Sequence, residues 1–396
     1  MKNFLIIENQ YQGHYLTGYI KYILRALPKK EFRVILLTTK KSKKYGTGAL
    51  DILRKENLKI IIETISDLKP TKYTLISLFI YQIKLYFLIR KKFNKIHKKY
   101  KFSHVFINSF QHFDKAFSIL GSPFKEVKFS GVFLGIKYHL RDKFLYNILD
   151  KFLFKILISN KRLMSLIIND ELLFNFLKKK KWNYNYKIKF LHDPKEFNYK
   201  FNKILARSRL NLPNKSFLVL VYGAIIDSKG LKELISIFDN NNINPNTKVV
   251  IAGELIGHML LYFKSPEVRK LINSKKLLVF NGWQTEISES LLFSASDVVW
   301  IGYKHYLSPS GVLYQAVCKS LPIITSNSHL VHFTNFKYKL GFSVNINDTN
   351  DIVFKLNSLQ NKNLYKIFQS NIKSFSKIAS SLNWVNSYKR ILSEYI

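Results

Sequence analysis

Short, almost wholly apolar runs recur along this chain, and each is followed by a longer amphipathic stretch. The runs at residues 4–8, 33–38, 58–62, 104–108, 129–133 and 163–168 have the unbroken hydrophobicity of strands buried on both faces. Segments between them, such as 14–27, 51–56 and 138–157, have the spacing of helices with one apolar face. The alternation restarts after residue 215, with strands expected at 217–222, 248–252, 277–280, 298–301 and 322–325. Strands that alternate with helices build doubly wound parallel sheets, and two such series predict two of them. The length, 396 residues, suits two α/β domains better than one core.

The boundary is expected at His192-Asp193-Pro194 and on to about Arg209. Pro194 ends whatever precedes it, a charged linker runs to Phe201, and a first helix follows at 204–210. Pro213 and Asn214 make the turn into the next strand. This gives a first domain at 1–192 and a second at 193–375. A closing helix at 376–396 is expected to pack back toward the first domain.

Charge enters where partners are concerned. Sixty-four Lys and Arg against 25 Asp and Glu leave a formal charge of +39. Such a surface attracts phosphorylated substrates, acidic headgroups or nucleic acid; AT-rich coding, visible in the abundance of Lys, Asn, Ile, Phe and Tyr, inflates lysine without any function. Nucleic acid is the weaker choice, because no zinc spacing, RNP-type aromatic motif or helix-turn-helix is present. The single cysteine, Cys318, suits a reducing compartment. The opening apolar residues end at Glu8 and read as a strand rather than a secretion signal, so a cytoplasmic location is expected. Residues 74–90 are the most membrane-like, but Gln82 and Lys84 interrupt them. The basic run that follows, with Lys91-Lys92 and Lys98-Lys99, reads either as peripheral contact with the anionic inner face of the cytoplasmic membrane or as the solvated end of a buried helix.

In open α/β sheets, ligands bind beyond the carboxyl ends of the strands, so the loops after each strand carry the chemistry. The first, residues 8–14, brings Gly13 and His14 to a helix start, where free amides favour anions; Gly13 reads equally as a turn glycine. Asn108, Ser109 and His112 follow the fourth strand. After the strand at 217–222 comes Gly223, and then Lys229-Gly230 before a helix at 231–238. A lysine at a helix mouth opposes the dipole unless an anion lies between them, or unless it is merely solvated. Gly282-Trp283 and Ser310-Gly311-Val312 also lie between a strand and a helix, where Ser310 reads as phosphate contact or simple N-cap.

The order of these pieces resembles the donor-binding domain of the retaining glycosyltransferases of family 4, the glycosyl transferases of group 1. Arg207-Ser208-Arg209-Leu210-Asn211-Leu212-Pro213 resembles its R-x-x-L-G-L-P entry, and Gly223 with Lys229-Gly230 its G-R-x-x-x-x-K-G loop. Phe280-Asn281-Gly282, Ala295-Ser296-Asp297-Val298 and Gln315-Ala316 through Pro322 follow in the family's order. The resemblance implies a GT-B fold, with two Rossmann-like domains facing across a cleft. It implies transfer of a sugar, with retention, from a nucleotide-diphosphate donor to a saccharide or lipid-linked acceptor, in cell-surface polysaccharide or glycolipid synthesis. It further implies no obligatory metal and no cofactor beyond the donor itself.

Carried over by position, Lys229 and Gly223 would meet the diphosphate, and Gly282 and Trp283 the base. Ser310, Gly311 and Val312 would meet phosphate or sugar, and Gln315 the ribose. His14 is the first-domain candidate for catalysis, with Gly13, Asn108 and His112 on the acceptor side. The family's arginine after the loop glycine is Ala224 here, and Leu307 and Gln315 stand where it has two glutamates. These departures also suit a non-catalytic partner of a polysaccharide assembly complex. A nucleotide-sugar 2-epimerase shares the two-domain arrangement, but acidic residues and histidines for the sugar are sparse.

Overall fold

The computed structural model describes residues 1–10, 17–56, 60–70, 74–134, 144–180 and 182–395. The chain divides into two compact units: Met1–Pro194 with Ser381–Ile396, and Lys195–Ser380. Each is built on one parallel sheet.

The first sheet has seven strands: β1 Lys2–Ile7, β2 Phe32–Thr39, β3 Ile61–Ile65, β4 Phe102–Ile107, β5 Lys128–Phe133, β6 Leu163–Ile168 and β7 Ile188–Phe190. Their order is β3-β2-β1-β4-β5-β6-β7, and every pairing is parallel. Alternate residues of β1 serve two cores, which is why the run carries no polar residue after Asn3. Leu5 and Ile7 pack with the helix Leu75–Tyr100, while Phe4 and Ile6 pack with the helix Ile20–Ala26. Each such side chain, fully buried, contributes roughly 1.5–3 kcal/mol. The helix Ser381–Ser393 belongs to this second core. Its Trp384 lies 6.0 Å from the ring of Tyr22 and 5.2 Å from that of Tyr388.

The second sheet has six strands: β8 Phe217–Tyr222, β9 Thr247–Gly253, β10 Leu277–Asn281, β11 Val298–Ile301, β12 Ile323–Ser326 and β13 Gly341–Val344. Their order, β10-β9-β8-β11-β12-β13, is again parallel throughout. The Arg-and-Asp elements of the resemblance turn out to be scaffold. Buried Arg207 pairs with Asp297 at 2.7 Å and donates to Ala295 O and Asn214 O. Asp297 also accepts the Leu218 amide at the start of β8. One ion pair thereby ties the entry helix Lys203–Arg209 to both central strands.

In both sheets the order in which strands are added reverses between a first and a fourth strand, β1/β4 and β8/β11. Two edge strands, β7 and β13, were not expected. β7 is three residues long with a lysine in its centre, and β13 carries a glycine and a serine. The helix expected at 74–90 runs on to Tyr100, because Phe93, Ile96 and Tyr100 continue its buried stripe under the lysines. Thr74 caps its start, and Lys101, left-handed at φ 53°, ends it. The helix expected at 231–238 stops at Ile235 and tightens into a 3-10 turn, Ser236–Asp239.

Candidate functional site

The carboxyl ends of β8 and β11 gather most of the residues singled out in the second half. β8 hands the chain to Gly223 at φ 93°, and a 3-10 turn, Asp227–Lys229, brings the lysine back over the strand end. Gly230 closes the turn at φ 64°; a Cβ there would lie 2.0 Å from Gly302 O, just past β11, so only glycine fits. The half-buried ammonium of Lys229 donates to Tyr222 O at 2.9 Å and to the Tyr303 hydroxyl at 3.0 Å. It also sits 4.6 Å over the Tyr303 ring. From the buried indole of Trp300, Nε1 donates to Lys229 O at 3.1 Å and fixes the turn's backbone. The lysine is therefore held at a set point, with the third of its donors left over among the described residues.

Ser310 begins the helix Gly311–Cys318 without capping it through its side chain. Its hydroxyl instead lies 3.4 Å from the Tyr303 hydroxyl, so Ser310, Tyr303 and Lys229 form one polar line. The amides of Gly311 and Val312 are the orphan donors of that helix start. One turn on, Gln315 is buried and donates to the Glu289 carboxylate on the helix Glu286–Ala295. Glu289 also holds the Tyr222 phenol, whose pKa is driven upward by burial first and by that carboxylate second. Sequence reading missed Glu289. Nothing local distinguishes it from the helix's other acid, Glu286, and only the fold sets it against position 315.

Gly282 and Trp283 follow β10, two strands from β8 and so about 10 Å along the sheet. Gln284 braces this loop by donating to Phe280 O and Gly282 O, and the Trp283 indole is 78% exposed. Thr285 only caps the next helix, accepting from the Ser288 amide.

In the first unit the ends of β1 and β4 converge on Glu8, which the sequence offers only as the end of a strand. Its carboxylate accepts from Asn108 Nδ2 and Ser109 Oγ, both at 2.6 Å, and from the Gln10 amide at 2.7 Å. Burial nevertheless pushes its pKa up to about 7. Asn108 is thus engaged with Glu8. His112 lies in a 3-10 turn, Phe110–His112, where burial pushes its pKa down to about 4 and keeps the ring neutral. Its Nε2 is buried without a partner among the described residues. Gly13 and His14 lie outside the described residues.

Comparison with known proteins completes the picture. Residues 202–375 match the family described as Glycosyl transferases group 1. Among solved structures, Anabaena Alr3699/HepE in complex with UDP and glucose superposes with a TM-score of 0.70 at 14% identity, covering 100% of both chains. A glycosyltransferase from Rickettsia africae gives 0.71 at 16% identity, over 99% of this chain and 98% of its own. The UDP-GlcNAc 2-epimerase of Neisseria meningitidis bound to UDP-GlcNAc gives 0.63 at 12% identity, covering 100% of both. No curated protein matches in sequence. The two parallel-sheet units have the GT-B fold, and residues 202–375 resemble a domain of the group 1 glycosyl transferases.

Proposed function

We propose that the protein transfers a sugar, with retention, from a nucleotide-diphosphate donor to a saccharide or lipid-linked acceptor in cell-surface polysaccharide or glycolipid synthesis. The observation that carries this reading is Lys229, whose ammonium is fixed by Tyr222 O and the Tyr303 hydroxyl beside the Ser310-Gly311 helix start. When the bond from the anomeric carbon to the diphosphate breaks, its electron pair goes to a phosphate oxygen. A preorganised cation and helix-start amides stabilise that charge without reorganising. The acceptor hydroxyl then bonds to the same face of that carbon and passes its proton to the departing phosphate oxygen.

The remaining contacts follow from position. Trp283 offers an exposed aromatic face for the base. Glu289, beside Gln315, brings a carboxylate to the region where the amide at 315 is the weaker partner for ribose hydroxyls. Residues 1–192 supply the acceptor side, with His14 as the first residue to test on sequence grounds. The uridine nucleotides bound by the solved neighbours make UDP-sugars the first donors to try.

Thermal shift across UDP-, GDP-, ADP- and CMP-sugars tests the donor site, since a ligand of the folded state raises the melting temperature. Release of nucleotide together with a glycosylated product, not an isomerised sugar, tests the reaction. Lys229→Ala is expected to lower kcat roughly 10²–10³-fold, the usual loss for one preorganised donor. An unchanged rate in that variant would sink the assignment. Donor binding without turnover by the wild type would instead favour the non-catalytic partner.

A further inference from the structure

Three helices that cover one face of the first sheet turn an apolar, cation-rimmed surface away from it. Leu75–Tyr100, Asp114–Leu120 and Phe144–Ser159 send Phe93, Phe117 and Phe154 into the same core. They are laced together above it: Gln82 Nε2 donates to Asp114 Oδ1 at 2.9 Å, the Tyr86 hydroxyl to Leu120 O at 3.2 Å, and Lys115 Nζ to Asp150 Oδ1 at 2.8 Å. Because one side of each helix is fixed on a shared core, their other sides form one outward layer. That layer carries large apolar groups: Ile76 is 74% exposed, Phe87 52%, Ile119 53% and Phe152 60%. Single exposed apolar residues are ordinary, but a run of them across three adjacent helices is not.

The charges on the same layer are one-sided. The helix Leu75–Tyr100 holds six lysines and Arg90 with no acidic residue. Ile76, Ile80, Lys84, Phe87, Lys91, Lys95 and Lys98 recur at steps of three and four, so cations continue the apolar stripe. Lys92 is paired with Glu63 at 2.7 Å, whereas Lys84, Lys91, Lys95 and Lys98 have no acidic partner among the described residues. In water this layer exposes hydrocarbon and repels itself at once. No described helix is long and apolar enough to cross a membrane.

We propose that this three-helix layer docks on the surface of an anionic lipid bilayer, with Ile76, Phe87, Ile119 and Phe152 entering the interface and the lysines meeting headgroup phosphates. Such a surface relieves both faults, since it takes up apolar side chains and neutralises cations. The other occupants fit less well. Nucleic acid would use the lysines but has no place for the aliphatic groups, and a second copy would set the same positive charge against itself. The site is independent of the donor-binding residues.

The test uses the full chain with vesicles of phosphatidylcholine, either pure or carrying phosphatidylglycerol. The protein is expected to sediment with the anionic vesicles and not with the neutral ones. Combining Lys91→Glu, Lys95→Glu and Lys98→Glu is expected to weaken partitioning about a hundredfold or more. Combining Phe87→Ser and Phe152→Ser is expected to weaken it at least about tenfold. All five side chains lie at the surface or partly so, and an unchanged melting temperature checks that the variants fold. A UDP-sugar that shifts the wild type is expected to shift both variants equally; absence of any such shift counts against the donor reading and leaves this one standing. Failure to bind anionic vesicles overturns the proposal. So does binding that ignores the phenylalanine changes, or a dimer that Phe152→Ser dissolves.

Discussion

Two acidic residues that local sequence does not distinguish hold the loops at the strand ends, and each makes a measurable demand. Glu8 keeps its proton in the folded chain up to about pH 7, whereas its ordinary value is 4.5. Its contribution is therefore complete below 4.5, declines as pH rises through that window, and is lost above about 7. Glu8→Gln should remove the slope, so that denaturant midpoints show the wild type losing about 3 kcal/mol against the variant from the acid to the neutral end. Parallel pH curves would discard the assignment. Glu289 belongs to the proposed donor site: Glu289→Ala frees both Gln315 and the Tyr222 phenol. The donor KM is expected to rise by about tenfold or more with a smaller change in kcat, as for loss of a charged hydrogen bond. Lys229 and Gly230 could be picked out because a cation and a glycine at a helix mouth are locally odd. Glu8 and Glu289 could not, because their partners lie 100 and 26 positions away.

At the scale of elements, central strands were legible, as was the edge strand β10, whereas the edges β7 and β13 were not. β6, β8 and β11 begin and end where their apolar runs do, since burial on both faces leaves no polar position to blur the pattern. β7 and β13 escape that rule because an edge strand needs less hydrophobicity. The lysine-rich end of Leu75–Tyr100 looked like a separate basic run, but its inward residues keep the helical period. The helix Ser381–Ser393 shows what a distant element contributes. Trp384→Ala opens a cavity beside Tyr19, Tyr22 and Tyr388, and is expected to cost the first unit roughly 3–5 kcal/mol. The unfolding transition of Lys195–Ser380 should not move. A shift of both transitions by equal amounts would mean that the helix does not belong to the first core alone.

For the whole molecule, the sequence disclosed two sheets through the repeated series of strands, and the likeness of its second half to the group 1 family through the order of its loops. It could not disclose the apolar layer on the first unit, because exposure is a property of packing and not of composition. The arrangement of the chain also bears on how the protein is made. The second unit is one continuous stretch, Lys195–Ser380, whereas the first is completed only by Ser381–Ile396. Synthesis runs from the amino end, so residues 1–194 emerge first but lack the Trp384 and Tyr388 that fill their core. The later unit can finish folding first, and the earlier one must wait, with part of its core uncovered, until Ser381–Ser393 has emerged. Stop codons between positions 381 and 388 would then be as damaging as a lesion in the first strand, and the helix Ser381–Ser393 becomes a checkpoint on translation beyond the second unit.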